Sequence, residues 1–385
     1  MSLTSPERGV FFISVSQFGV TFSFSYIMTF MPFYITQIST FGPKETMIWI
    51  GMIMGPSYIL TALTAPFWGG LTSRFSPKLL FERGMLCNGI LFLLMGCTGN
   101  LYLLFLLRMI QGTLGGVSTI GLILISAMSR EDQLHKNLSL YQNSMTTGQL
   151  IGPLLGAYSA SIFGYRAAFV FAFIVASIFL IFCHKYVSKI PLQKKESYSD
   201  ISFKKSLVWG WGLIFIATLH LTFLPSILPK ILAGFRLVDY VALKSAGFII
   251  MSYTVTAILG NYLLSRLALK MGLRRVIAIA CVLAALLQVL LILSEGVFSF
   301  CLIRMMQTGF IAAIFPLTLS IFARDIGGRT VGFLNSSRFV GMAVGPIMAT
   351  TVLAYSNLLT LYLFIAGLTF GFLWAFMTSI KTREI

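Results

Sequence analysis

Charge is what this sequence has least of. Only 10% of its 385 residues are Asp, Glu, Lys or Arg, where an ordinary soluble domain carries about 25%. A chain so short of charge cannot clothe a globular surface in water. Acidic residues are scarcest, 11 against 28 basic ones, and there are only 3 histidines. The five cysteines (Cys87, Cys97, Cys183, Cys281 and Cys301) lie far apart, in or beside apolar segments. With no Cys-x-x-Cys pair and no cysteine–histidine cluster of ligand spacing, a zinc site and a disulfide framework are both excluded, and no metal or other cofactor is expected. No Gly-x-x-x-x-Gly-Lys loop is present to cradle a nucleotide's phosphates, so the chain is not expected to hydrolyse ATP. No membrane-embedded nucleophile, carboxylate pair or metal cluster stands out, so an enzyme is not expected either.

What is abundant is apolar sequence, 57% of the chain. It comes in recurring runs of about 20 residues, each long enough to cross a hydrocarbon core of about 30 Å. The lipid bilayer is therefore the first partner to expect. A net charge of +17 might point to nucleic acid, but the cations sit in short connections between apolar runs, as membrane topology requires. No nucleic-acid partner is expected.

Twelve membrane helices are predicted, over roughly 9–35, 46–70, 79–98, 100–127, 138–163, 166–184, 206–229, 242–264, 274–294, 297–322, 330–355 and 357–380. The first run continues to about Ile35 without a small-residue cleavage site and reads as a membrane helix, not a cleavable leader. One long polar stretch interrupts the series near its middle, with Lys185, Lys189, Lys194, Lys195, Lys204 and Lys205. It divides an N-terminal six-helix bundle (1–184) from a C-terminal one (206–385), leaving 185–205 as a basic cytoplasmic linker. The termini and even-numbered loops together hold 20 Lys and Arg, the odd-numbered loops five. Both termini are thus expected on the cytoplasmic side of the membrane.

The halves repeat one another. Thr29-Phe30-Met31-Pro32 matches Thr222-Phe223-Leu224-Pro225, and Ser57-Tyr58 with Thr61-Ala62 matches Ser252-Tyr253 with Thr256-Ala257. Leu71-x-Ser73-Arg74 matches Leu263-x-Ser265-Arg266, and Arg108-Met109-Ile110-Gln111 matches Arg304-Met305-Met306-Gln307. Gly148-x-x-x-Gly152-Pro153 matches Gly341-x-x-x-Gly345-Pro346. Five matches in one order, at offsets between 192 and 196, indicate a duplication.

Several positions carry candidate function. Gly148, Gly152 and Gly156 fall at i, i+4 and i+8, a strip bare of side chains on which another backbone can pack closely. Pro153 within it removes a backbone donor and favours a bend, so the strip reads as tight packing, as a hinge, or as both. Arg108, Gln111 and Gly115 share one helix face by spacing, and Arg304 and Gln307 repeat the pair. An arginine about eight residues inside an apolar span faces a protein interior or wet cavity, or else snorkels to the interface. A cavity-lining role is expected for these residues, and for Arg338, which lies just before Gly341 with Asn335 one turn earlier. The three arginines together favour anionic or carboxylate-bearing compounds. A proton-coupled carrier needs a titrating group in the membrane. Glu82 is the only carboxylate within a predicted span, and it also fits as an interfacial partner of Lys78 or Arg83. His220 is the alternative, in a helix whose end Pro225 and Pro229 should break.

On these residues the chain from Thr29 to about Phe173 resembles the drug:proton antiporter branch of the major facilitator superfamily, and is particularly similar to bacterial inner-membrane multidrug efflux proteins. The matching pieces are Met31-Pro32-Phe33-Tyr34, Pro66-Phe67-Trp68-Gly69-Gly70-Leu71, Leu107-Arg108-x-x-Gln111-Gly112-x-x-Gly115-Gly116 and Gly148-x-x-x-Gly152-Pro153-Leu154-Leu155-Gly156. The resemblance implies an all-α polytopic fold of two pseudo-symmetric six-helix bundles and a monomer that transports a small molecule by alternating access. It ties Arg108 to proton coupling and the glycine–proline run to antiport. Between the second and third helices Gly69 and Arg74 keep the family pattern, but Ser73 stands where the family has aspartate and Ser76 where it has glycine. The charged latch implied there is incomplete. The expected function is efflux of a small amphiphilic or anionic compound across a bacterial inner membrane. The alternatives are a carrier for a polar metabolite such as a carboxylate siderophore, in either direction, and a transporter-derived receptor or scaffold.

Overall fold

The computed structural model describes residues 5–130, 133–188, 205–322 and 328–379. Most of the predicted basic linker lies outside the described residues, as do the stretch 323–327 and the chain's two ends.

Every regular element among the described residues is helical. In lipid no water completes the backbone's hydrogen bonds, and a helix completes its own. The elements run α1 (Ser5–Ile38), α2 (Pro43–Met54), α3 (Ser57–Gly70), α4 (Pro77–Cys97), α5 (Leu101–Thr113), α6 (Val117–Met128), α7 (Leu134–Phe163) and α8 (Tyr165–Tyr186). They continue with α9 (Lys205–Thr222), α10 (Leu224–Gly234), α11 (Asp239–Met271), α12 (Leu273–Leu290), α13 (Val297–Ile311), α14 (Ile314–Ile321), α15 (Gly328–Tyr355) and α16 (Leu358–Ser379). Local chemistry starts several of them. Pro43 and Pro77 occupy first turns, where their missing N–H costs nothing. Asn100 caps α5, its Oδ1 accepting from the amides of Tyr102 at 2.8 Å and Leu103 at 3.2 Å.

Among the described residues, ten spans are long and apolar enough to cross a membrane, or eleven if the bent pair α9 and α10 is one span. α7 coincides with the predicted fifth span and has 30 residues, but no 18-residue stretch of it is apolar enough for that standard. Four predicted spans are broken within their length. The second splits at Gly55-Pro56, the fourth between Thr113 and Val117, and the tenth between Ile311 and Ile314. The seventh bends by 41° at Phe223, next to Pro225, as its prolines lead one to expect.

The described chain forms two compact units. One comprises residues 1–39, 59–196 and 239–248, the other 40–58, 197–238 and 249–385. The units therefore depart from the halves of the sequence by two short segments. In the second unit α2 packs on α15, where a Cβ on Gly51 would lie 2.1 Å from Thr350 Oγ1 and one on Gly55 2.4 Å from the Ala343 carbonyl. In the first, the start of α11 packs on α7, where a Cβ on Gly247 would lie 2.5 Å from Ala157 Cβ.

Candidate functional site

Each unit holds a buried arginine on the helix face that the sequence pattern marks. In the first, Arg108 of α5 is 1% exposed. Burial of its head group rules out snorkelling in this structure. Arg108 Nη1 donates to Gln111 Oε1, one turn on. Gln111 Nε2 donates to Asn88 Oδ1 of α4 at 2.9 Å, and Asn88 Nδ2 to the Gly84 carbonyl at 2.9 Å. The Arg108 guanidinium also lies 5.5 Å from the centre of the Phe24 ring on α1.

The second unit repeats the device in a denser form. Arg304 of α13 is fully buried, as are Gln307, Gln288 and His220. Arg304 Nη1 donates to Gln307 Oε1, and Nη2 to the His220 carbonyl at 2.5 Å. Phe223 and Tyr253 lie over the guanidinium, ring centres 5.2 and 5.0 Å away. Such ring faces and carbonyls offset part of the cost of burying the charge. Gln307 Nε2 faces Gln288 Oε1 of α12 at 3.1 Å and His220 Nδ1 at 2.5 Å.

This geometry assigns His220 a tautomer. An amide nitrogen can only donate, so Nδ1 must accept and Nε2 carries the ring proton. Nε2 then donates to Thr369 Oγ1 of α16 at 2.8 Å, and Thr369 to the Ile365 carbonyl at 2.8 Å. A second ring proton at Nδ1 would meet the Gln307 amide donor to donor. Reversing Gln307 would turn its NH2 against Arg304. The hydrogen bonds therefore fit a neutral His220 that ties α9, α12, α13 and α16 together.

The glycine strip on α7 is seated on the backbone of α1. A Cβ on Gly152 would lie 2.8 Å from the Phe22 carbonyl, and one on Gly156 2.1 Å from that of Tyr26. Gly148 meets Thr21 Oγ1 at 2.4 Å in the same way. The repeat holds in the second unit, where Gly341 and Gly345 of α15 face Phe215, Thr218 and Thr222 of α9. Pro153 and Pro346 lie inside continuous helices.

Gly115 does not continue the Arg108 face as its spacing predicts, because α5 ends at Thr113. Gly116 begins α6 at φ +88°, a left-handed conformation natural to glycine. The carbonyls freed by this break are taken up by side chains from α3 and α4. Thr61 Oγ1 donates to Gly112 at 3.2 Å, Trp68 Nε1 to Thr113 at 2.8 Å, and Arg83 Nη2 to Leu114 at 3.3 Å. Arg83 in turn stacks on Trp68, 3.4 Å from the ring centre.

Glu82 lies elsewhere on α4, paired with Lys78 at 3.4 Å and facing His184 Nδ1 at 3.4 Å. Lys78 also donates to the His184 carbonyl at 2.8 Å. Of the two partners that the sequence allowed for, Lys78 and Arg83, the ion pair is made with Lys78. Ser73 turns its hydroxyl back to the Gly70 carbonyl at 2.8 Å, while Arg74 beside it is exposed and Gly69 has open space around it. Arg338 is half-buried on α15, 3.4 Å from Asn335 Oδ1 and 4.6 Å from the centre of the Phe315 ring.

The sequence profile of the Major Facilitator Superfamily matches residues 13–242. The chain belongs to that superfamily. Multidrug resistance protein MdtG of Salmonella dublin is 27% identical over 363 residues, 90% of this chain and 88% of the relative. The same protein of Salmonella schwarzengrund is equally similar, 27% over 90% of this chain and 88% of its own length. Among solved structures, nucleoside transporter NupG superposes with a TM-score of 0.78 at 14% identity, covering 98% of this chain and all of that one. A bacterial homologue of the human lysosomal transporter Spinster reaches 0.78 at 12% identity, over 100% and 98% of the two chains.

The protein is therefore a multi-pass transporter of the major facilitator fold, from a family of transporters and not of enzymes. Sequence reasoning found its arginines and glutamines but missed Asn88 and Gln288, which complete both relays. The repeat conceals their kinship, for Asn88 and Gln288 are 200 residues apart where the arginines are 196 apart. Four residues is about one helical turn, so the two amides share a face without aligning in sequence. A lone amide inside each apolar run was the available signal.

Proposed function

We propose that this transporter exports a small amphiphilic compound across a bacterial inner membrane by alternating access, against an inward flow of protons. The proposed arrangement is a monomer of two six-helix bundles with both termini in the cytoplasm. The observation that carries the reading is Arg108, sealed from solvent and hydrogen-bonded to the neutral Gln111 amide, in a chain similar over 90% of its length to a multidrug resistance protein. A cation in that setting responds strongly to any charge that approaches it, because little solvent screens the interaction. Tight seating of α7 on α1 supplies the rigid frame against which such a response is transmitted.

A second reading, transport of an anionic compound such as a carboxylate, is favoured by Arg304 and Arg338. Among the described residues, they meet amide and carbonyl oxygens and ring faces, all neutral. Purified protein in proteoliposomes with an imposed pH gradient distinguishes the two. Gradient-driven movement of a lipophilic cation such as ethidium, with no response to citrate, supports the first reading. Movement of citrate alone supports the second, and movement of neither overturns both.

A further inference from the structure

We propose that Asn88 is the positioning residue that aims Arg108, acting through Gln111 without touching the arginine itself. This rests on the reading that Arg108 works in transport, but its test does not. An amide has a donor end and an acceptor end, so a chain of amides has a direction. Here the direction is set from α4. Asn88 Nδ2 is committed to the Gly84 carbonyl of its own helix at 2.9 Å, which leaves Oδ1 facing α5. Gln111 must then present Nε2 to Asn88, at 2.9 Å, and Oε1 to Arg108. Reversal of Asn88 alone would set its NH2 against that of Gln111 and its oxygen against a carbonyl.

All the bonds from Arg108 to Gly84 therefore run one way, each acceptor turned toward the cation. Aligned dipoles of this kind reinforce one another in a low-dielectric interior. The second unit provides an internal comparison. There Gln307 Nε2 has two acceptors, Gln288 and His220, and Arg304 has a second bond to the His220 carbonyl. All four of those residues are fully buried, whereas Asn88 is only half-buried. Removal of Gln288 leaves Gln307 Nε2 bonded to His220, while removal of Asn88 takes away the acceptor that Gln111 Nε2 meets.

The test reads the guanidinium directly. The full chain in lipid bilayers, carrying nitrogen-15 arginine, gives two resolved Nη signals for Arg108 if rotation about its Cζ–Nε bond is hindered. The signals are assigned by their loss in Arg108→Lys. Asn88→Leu is expected to release Gln111 from its position against Arg108, to speed that rotation by about tenfold, equivalent to about 1.4 kcal/mol for the Arg108–Gln111 hydrogen bond so weakened, and to merge the two signals. Asn88→Asp, which keeps the acceptor toward Gln111, is expected to leave them resolved. Gln111→Met breaks the chain one link nearer and should act as Asn88→Leu does, which keeps the test open if that variant does not fold. Nη signals as well resolved in Asn88→Leu as in the wild type would overturn the proposal. So would signals that merge equally in Asn88→Leu and Asn88→Asp, since loss of the acceptor would then not be the cause.

Discussion

Replacing Gly156 by alanine adds one methyl group at the tightest point of the seam between α7 and α1. Its Cβ would lie 2.1 Å from the Tyr26 carbonyl oxygen, with the carbonyl carbon at 2.8 Å and Cα at 2.9 Å. Ordinary contact begins at 3.4 Å, so relief requires the helices to part by about 1.3 Å there. All three obstacles are backbone atoms, which cannot rotate aside as a side chain can. Parting also loosens the contacts of Gly148 with Thr21 and of Gly152 with Phe22, and pulls on the hydrogen bond between the Tyr26 and Ser159 hydroxyls. Overpacking of this kind costs about 1–3 kcal/mol. The upper end applies, because helix association in lipid depends on close packing with little hydrophobic driving force to compensate. Thermal unfolding in detergent, followed by a thiol-reactive dye on the buried cysteines, should start several degrees lower. Gly69→Ala is the control. Nothing lies within 4 Å of a Cβ there, and alanine is the better helix former by up to about 1 kcal/mol. Gly345→Ala should fall between them, since its nearest obstacle is the Thr222 hydroxyl at 2.8 Å. A Gly156→Ala protein as stable as wild type, or a Gly69→Ala protein that falls as far, would refute the reasoning.

The remaining expectations are more local. Arg108→Lys keeps the charge but loses the planar fork that meets Gln111, so transport should drop at least tenfold at equal expression; wild-type transport by Arg108→Ala would end the role given to Arg108. His220→Gln should leave the pH-gradient dependence of transport unchanged, because the hydrogen bonds already fit a neutral ring, and an uncoupled variant would contradict the brace described here. His220→Leu removes two buried hydrogen bonds, those of the ring with Gln307 and Thr369, and should cost about 1–3 kcal/mol in thermal stability. Reporter fusions after Ile385 and in the loop near Arg236 should show opposite sidedness, and a shared side would break the proposed topology.

The sequence by itself determined the solvent, the helical class, the duplication and the residues of the close seam. Each depends on local composition or on spacing along one helix: runs of about 20 apolar residues, an offset near 193, glycines every fourth position. It also placed Arg108 with Gln111 and Arg304 with Gln307, because residues three apart share a helix face. Partners across helices were not legible, since periodicity shows which face is marked and not what meets it. Thus Asn88, Gln288 and Thr369 emerged only in three dimensions, and so did the direction of the amide chain that makes His220 a neutral brace. The break after Thr113 is of the same kind. An apolar run from Leu101 to Met128 reads as one helix, and the carbonyls that its interruption frees are answered by Thr61, Trp68 and Arg83, 31 to 51 residues earlier in the chain. Tertiary structure likewise decided that residues 40–58 pack with the unit made mainly of the second half, and 239–248 with that of the first. Small residues such as Gly51, Gly55 and Gly247 permit that exchange, but only the facing helices reveal it.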